Sequence, residues 1–224
     1  ALHCAFGTLA ALMERQKSGK GQIVQGALLA TALSFTNATL IEQAVISANR
    51  VPTGNLGQTT APADIYRAKD GWLLVQVTGQ PLFKRWAKLM GEDHWLTDPR
   101  YDDDLKRGEN GPVISERMGR WCAERTVQEA VDTLGKAQIP AAPVLSPQAA
   151  LDHPHVQAGG FMQQMDYPGL PRPAPISRVA LNMSRTPGEI RHRAPTLGEH
   201  TDEVLGALGY AVSDIAALRE KGIV

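Results

Sequence analysis

The chain has 224 residues, of which 43% are hydrophobic and 21% are charged, a composition typical of soluble globular proteins. Lys and Arg total 23 and Asp and Glu also total 23, so the formal net charge is zero and favours no nucleic-acid partner. The longest apolar-rich stretch, 27–48, contains Thr, Ser, Asn, Glu and Gln, which favours a buried helix over a membrane span. The two cysteines, Cys4 and Cys122, are far apart, which is typical of reduced thiols and predicts a cytoplasmic location.

The first 49 residues predict a helix, a strand and a second helix. Apolar residues recur at helical spacing from Leu2 to Met13, and the basic turn SGKG predicts the end of this helix near Lys17. The segment QIVQGA, 22–27, predicts a short strand, and helical spacing returns over 28–48. This order of elements predicts part of an α/β layer.

The next segments predict a loop, a hairpin and a helix. Residues 50–64 are rich in Gly, Pro and small polar residues and predict an irregular loop. Two β-rich runs flank the turn residues Asp70 and Gly71, so 65–78 predicts a β-hairpin. A helix is predicted over 82–91.

The rest of the chain predicts mostly short elements. The run Asp102-Asp103-Asp104 predicts a solvated loop, and Thr126 with Glu129 has the spacing of a helix capping box. Further predicted elements are helices at 113–125 and 126–138, a strand within 139–146, a helix capped by Ser146, short strands within 159–187, and two helices within 197–224 capped by Thr201 and Ser213.

Few residues have spacings that indicate chemistry. His153 and His155 lack partners at metal-ligand spacing, so no metal site is predicted. Glu199 and His200 are adjacent before a helix, where capping or surface roles are favoured over an acid/base pair. The loop GNLGQ, 54–58, is either a plain turn or a place where backbone approaches a ligand, and its spacing alone favours the turn.

Four stretches together resemble the class III CoA-transferases of the CaiB/BaiF and formyl-CoA transferase type. They are GTLAALMERQKSGKGQIV (7–24), GNLGQTTAPADIYRAKDGW (54–72), IPAAPV (139–144) and APTLGEHTDEVLGALGY (194–210). The resemblance implies an interlocked homodimer whose chains each have a large Rossmann-like domain and a smaller α+β domain. It places the end of the large domain at 1–49, the Gly loop at 50–61, the small domain at 62–175, and a returning linker with C-terminal helices at 176–224.

The same resemblance implies an activity. These enzymes move CoA from an acyl-CoA to a carboxylate acceptor through an aspartyl-CoA intermediate, and CoA is a substrate because no cofactor is permanently bound. By resemblance, Gly54, Asn55, Gly57 and Gln58 form the loop that covers the reacting group. Leu28 falls where the family contacts the acyl or pantetheine part. Leu56, Thr59 and Thr60 interrupt the glycine run of the formyl-CoA enzymes, which argues against formyl and oxalate specificity.

The nucleophilic aspartate of the family is expected just before Ala1, and no Asp occurs before Asp64. The resemblance therefore predicts no catalytic residue in this chain and no activity of the chain alone. Two alternatives stay open. One is an α-methylacyl-CoA racemase of the same fold, whose His/Asp pair would also lie upstream, and the other is a non-catalytic binding or assembly fragment.

Overall fold

The computed structural model describes all residues, 1–224. They form two compact units, Ala1–Ala142 and Pro143–Val224, which are described separately below. The predicted domain bounds at 62–175 and 176–224 concern the complete protein and stay a prediction.

Three helices open the first unit: α1 (Leu2–Ser18), α2 (Leu28–Phe35) and α3 (Asn37–Ile46). The helix predicted over 28–48 is thus divided at Thr36, whose hydroxyl donates a hydrogen bond of 3.0 Å to the Ala32 carbonyl. Side-chain bonds of this kind compete with the helical backbone pattern and favour a bend. None of the three helices contains a buried residue.

The predicted hairpin is confirmed by strands β1 (Ala63–Arg67) and β2 (Trp72–Gln76), which pair antiparallel. The turn closes with a bond of 2.9 Å from the Ala68 N–H to the Gly71 carbonyl. Strand β3 (Ala141–Pro143) adds to β2 and completes a sheet of order β1-β2-β3.

The predicted strand over 22–27 is wrong, because this segment has no regular secondary structure. A strand is stabilised by hydrogen bonds to a neighbour, and this segment belongs to neither of the two sheets of the structure. Its β-branched side chains are also exposed, Ile23 to 85%.

Four more helices follow the hairpin in the first unit. The capping box predicted at Thr126 and Glu129 is confirmed, since each side chain accepts a hydrogen bond from the other residue's backbone. These helices are α4 (Gln80–Met90), α5 (Asp104–Glu109), α6 (Gly111–Ala123) and α7 (Val127–Lys136), with short 3₁₀ helices at Asp93–Leu96 and Pro99–Tyr101.

The core of the first unit is built around an aromatic cluster. Trp86 of α4 is fully buried, and its ring centroid lies 5.5 Å from those of Phe83 and Trp95. Tyr101 extends the cluster, 5.0 Å from Trp95. Aliphatic residues of the hairpin and of α6 and α7 pack with the cluster: Leu73, Val75, Ile114, Met118 and Leu134.

The second unit consists of short elements. They are α8 (Pro147–Asp152), α9 (Pro154–Ala158), α10 (Thr201–Ala207), α11 (Val212–Glu220) and the antiparallel strands β4 (Met162–Met165) and β5 (Ala174–Ser177).

The cap predicted at Ser146 is confirmed by its hydrogen bond from the Ala149 N–H. Those predicted at Thr201 and Ser213 are wrong, because the N-caps are the residues before each helix, His200 and Ala211. At α11 the Asp214 carboxylate accepts from the Ala211 N–H, which places the helix start ahead of Ser213.

Candidate functional site: the Gly loop and its cleft

The Gly loop comprises residues 50–61, and its tip is exposed to solvent. Gly54 and Asn55 are exposed, and Gly54 has φ of 70°, a conformation that residues with a Cβ rarely adopt. The Thr53 hydroxyl donates 2.8 Å to the Leu56 carbonyl and closes the turn. The tip backbone is therefore held in shape while the surface above it stays free.

The base of the loop is tightly packed. A Cβ at Gly57 would lie 2.8 Å from the Ala63 Cβ and 3.0 Å from the Thr60 carbonyl oxygen. The Gly57 N–H donates 2.7 Å to the Ala63 carbonyl. Glycine is needed here because the loop backbone at this position lies close to Thr60 and to Ala63, the first residue of β1.

Gln58 fastens the loop from within. Its side-chain Nε2 donates 2.6 Å to the Val51 carbonyl and lies 3.2 Å from the Thr53 hydroxyl. The side-chain amide therefore links the start of the loop to its end.

A cleft of about 790 Å³ lies between α3 and the Gly loop. Its lining mixes small, apolar and amide or hydroxyl groups with one ion pair: Ala38, Thr39, Ile41, Glu42, Arg50, Val51, Pro52, Gln58 and Thr59. A lining of this kind suits an elongated, largely uncharged part of a ligand that carries a few polar groups.

The ion pair at the cleft joins α3 to the loop. Arg50 donates to both carboxylate oxygens of Glu42, at 2.6 and 2.5 Å. The hydrogen bonds from Arg50 lower the pKa of Glu42 and keep it ionised. Because this carboxylate neutralises the guanidinium, Arg50 is a poor anchor for a phosphate.

The structure brings the four predicted loop residues together but not Leu28. Gln58 lines the cleft, and Gly54, Asn55 and Gly57 belong to the same loop. Leu28 is the first residue of α2, is 91% exposed and does not line the cleft.

The interpretation of Asp102-Asp103-Asp104 as a solvated loop is wrong for Asp104, which is half-buried and begins α5, whereas Asp102 and Asp103 are exposed. Asp103 caps α5 by accepting from the Lys106 N–H at 2.8 Å. The Asp104 carboxylate binds Arg107, which is almost fully buried, at 2.5 Å. The pairing was missed because an acidic run looks solvated unless the buried cation one helical turn later is recognised.

Burial of Asp104 acts to raise its pKa. Hydrogen bonds from Arg107 and from the Gly79 N–H outweigh this and hold the pKa below its usual range. The group is therefore an ionised structural partner near the loop.

Other groups with potential chemistry lie outside the loop. Burial raises the pKa of the Cys122 thiol to about 12, so it stays protonated and is a poor nucleophile. His153 caps α9 by accepting from the His155 N–H. The structure contains no group of three His, Cys, Asp or Glu side chains that could hold a metal ion, and it has no helix long and apolar enough to cross a membrane.

Glu199 of the second unit is a structural anchor. Its carboxylate accepts two bonds of 2.7 Å from Arg193 and a bond of 2.7 Å from the Thr196 N–H. These bonds lower its pKa to about 2. The Arg193 guanidinium also lies 5.8 Å from the Tyr167 ring centroid, so Glu199 helps to hold the segment before α10.

This pairing predicts acid sensitivity of the segment 194–208. Because the pKa of Glu199 falls from 4.5 to about 2 on folding, its stabilising contribution is complete above pH 4.5 and is lost as the pH falls towards 2. We expect amide exchange in this segment to accelerate on acidification less in Glu199→Gln than in the unmodified protein. Exchange rates are compared after correction for intrinsic pH dependence.

The control is Glu203→Gln, on the first turn of α10, because Glu203 forms no ion pair in the structure. It should keep the acid response of the unmodified protein. Equal acid responses in Glu199→Gln and the unmodified protein would contradict the assignment.

Comparison with known families gives the class of the protein. The family described as CoA-transferase family III matches residues 1–201, so the chain belongs to CoA-transferase family III. This confirms the resemblance drawn from the four sequence stretches.

Individual relatives agree with this membership. The chain is 28% identical over 226 residues to a succinyl-CoA–D-citramalate CoA-transferase of Chloroflexus aurantiacus, covering 100% of the chain and 56% of that protein. It is 28% identical over 245 residues to a formyl-CoA:oxalate CoA-transferase of Bradyrhizobium diazoefficiens, covering 99% of the chain and 57% of that protein. The chain thus spans about half the length of the curated relatives it matches.

Solved structures share the fold. A CaiB/BaiF family protein from Brucella suis matches with a TM-score of 0.69 and 20% identity, over 92% of this chain and 53% of that one. Rv3272 from Mycobacterium tuberculosis matches with a TM-score of 0.68 and 19% identity, over 88% of this chain and 51% of that one.

Proposed function

We propose that the chain is the C-terminal portion of an acyl-CoA:carboxylate CoA-transferase. The observation that carries this proposal is the match to CoA-transferase family III over residues 1–201. The transferase names of the relatives from Chloroflexus and Bradyrhizobium support it.

The proposed reaction proceeds by covalent catalysis. An aspartate carboxylate attacks the thioester carbonyl, the C–S bond breaks, and CoA leaves as a thiolate to give a mixed anhydride. The thiolate attacks the aspartyl carbonyl and releases the donor acid, which leaves an aspartyl-CoA thioester. The acceptor carboxylate then attacks this thioester, and the released thiolate attacks the acceptor acyl group, regenerating the aspartate.

In this proposal the nucleophilic aspartate lies upstream of Ala1, and this chain contributes the loop that covers the reacting group. The Gly loop, with Gly54, Asn55, Gly57 and Gln58, lies over the reacting group and limits the access of water. The cleft between α3 and the loop accepts the uncharged acyl or pantetheine part. Leu28 is retained as a proposed contact to that part in the complete protein.

We further propose a cytoplasmic homodimer that uses CoA only as substrate. The apolar side chains exposed on α1 and α2 support burial of these helices in the complete assembly, since Phe6 is 77% and Leu28 is 91% exposed. One relative, from Chloroflexus aurantiacus, is named as the beta subunit of a succinyl-CoA–L-malate CoA-transferase.

The test uses the complete protein, including the residues upstream of Ala1. It is incubated with succinyl-CoA and a panel of carboxylic acids, and new CoA thioesters are measured by mass spectrometry. Hydroxylamine should trap the aspartyl thioester as a hydroxamate on a peptide upstream of Ala1. Residues 1–224 alone should give neither product.

The outcomes separate the alternatives. Deuterium uptake at the α-carbon of 2-methylacyl-CoA without CoA exchange would replace the transferase by a racemase. CoA binding without either reaction would favour a binding fragment. Transfer by residues 1–224 alone would overturn the placement of the nucleophile.

A further inference from the structure

Helix α5 approaches the Gly loop more closely than a side chain permits. A Cβ added at Gly108 would lie 2.8 Å from the carbonyl carbon of Gln58 and 2.9 Å from the Cα of Thr59, and closer still to the Gln58 carbonyl oxygen. These atoms are backbone, so they cannot rotate away as a flexible side chain would. The helix and the loop therefore touch main chain to main chain at Gly108.

The start of α5 holds the end of the same loop. Thr60 is buried, its hydroxyl donates 2.6 Å to the Val77 carbonyl, and Asp104 Oδ1 lies 3.3 Å from the hydroxyl oxygen. Both Asp104 oxygens also accept from the Gly79 N–H at 2.9 Å. Asp104 therefore connects the loop end to the turn before α4.

A buried cation fixes this arrangement. Arg107 is 1% exposed and donates 2.7 Å to both the Gln80 side-chain oxygen and the Tyr101 carbonyl. Its guanidinium lies 4.6 Å from the Phe83 ring centroid, within the aromatic cluster. The position of α5 is thereby tied to the core of the first unit.

Residues four apart lie on one face of a helix, so Asp104 and Gly108 present adjacent contacts to the loop. We infer that α5 supports the Gly loop from below through these contacts, and that Gly108 is a positioning residue for the CoA chemistry. The chemical consequence of this inference rests on the proposed function, whereas the support of the loop by α5 does not.

The consequence concerns water. If α5 no longer supports the loop, water can attack the aspartyl-CoA carbonyl. The water oxygen forms the new C–O bond, the C–S bond breaks, CoA leaves as thiolate, and two protons pass to solvent as the aspartate carboxylate re-forms. The aspartate is regenerated and the CoA is lost from the transfer cycle. A displaced loop therefore raises hydrolysis relative to transfer.

The experiment compares Gly108→Ala with Gly135→Ala in the complete protein. Both positions are helical, and alanine normally favours a helix. A Cβ at Gly135 of α7, however, meets nothing within 4 Å. The pair therefore separates the contact with the loop from the general effect of replacing a helical glycine.

Two readouts are measured. Amide exchange of the peptide covering 50–61 should rise about tenfold in Gly108→Ala and stay unchanged in Gly135→Ala. The ratio of hydrolysis to transfer should rise several-fold only in Gly108→Ala. A loss of folded protein would lower both reactions together and would leave their ratio unchanged.

Each outcome decides a point. Unchanged amide exchange of the loop in Gly108→Ala would overturn the inference that α5 supports the loop. Faster exchange with an unchanged ratio of hydrolysis to transfer would overturn the positioning role of Gly108. If the unmodified complete protein shows no CoA transfer, the proposed function is refuted, and faster exchange in Gly108→Ala would still support the contact between α5 and the loop.

If Gly108→Ala does not fold, Thr60→Val decides the inference, because it removes the hydroxyl beside Asp104 at nearly constant volume. Its control is Thr133→Val, which removes a hydroxyl bonded within α7. Thr60→Val should accelerate exchange in the loop and raise the ratio, and Thr133→Val should change neither. Failure of Thr60→Val to change either readout would overturn the inference.

Discussion

Replacing Trp86 by Ala is expected to lower the free energy of unfolding of the first unit by about 4 kcal/mol. The side chain is fully buried, stacks against Phe83 with ring centroids 5.5 Å apart, and directs its indole N–H to the Met118 sulfur at 3.1 Å. Truncation removes these contacts and leaves a cavity at the centre of the aromatic cluster. Urea denaturation followed by circular dichroism measures the loss.

The matched control is Trp72→Ala on strand β2. Trp72 is 45% exposed, and the Arg67 guanidinium lies 5.2 Å from its ring centroid. Its truncation is expected to cost about 1 kcal/mol or less. Similar losses for the two tryptophans would contradict the placement of the core around Trp86.

Replacing Asp104 by Ala is expected to destabilise the first unit by about 3 kcal/mol. The change leaves the Arg107 guanidinium, 1% exposed, without its carboxylate, and removes the acceptor of the Gly79 N–H. We take the lower end of the range for a broken buried pair because the Asp104 side chain is 32% exposed. Denaturant unfolding measures the change.

Two further variants serve as controls for Asp104→Ala. Asp102→Ala removes a carboxylate that is 53% exposed and pairs with Lys106 at 3.1 Å, so its effect should stay within about 0.5 kcal/mol. Asp104→Asn keeps an acceptor but removes the charge, and its loss should fall between the two. Equal losses for Asp102→Ala and Asp104→Ala would show that the pair with Arg107 is unimportant.

Local sequence patterns predicted those elements whose stabilising contacts are close in the chain. The hairpin at Asp70-Gly71, the capping box at Thr126 and Glu129 and the cap at Ser146 were confirmed because each involves residues within a few positions. The strand over 22–27 failed because a strand depends on a partner that local composition does not specify.

The candidate site divides in the same way. The positions of Gly54, Asn55, Gly57 and Gln58 in one loop follow from their closeness in sequence, and the resemblance singled them out. The Glu42–Arg50 pair at the cleft was missed, because its members are eight positions apart with a helix end between them, and an isolated Arg after a helix has no distinctive pattern.

The sequence by itself determined the family, through four separated stretches in the right order, and the elements held by local hydrogen bonds. Only the tertiary structure decided how the Gly loop is supported. Gln58 and Gly108 are fifty positions apart, and in the sequence Gly108 is merely a residue that weakens a helix. Its role follows from the close approach of two backbones, which depends on how the buried Arg107 ties α5 to the core.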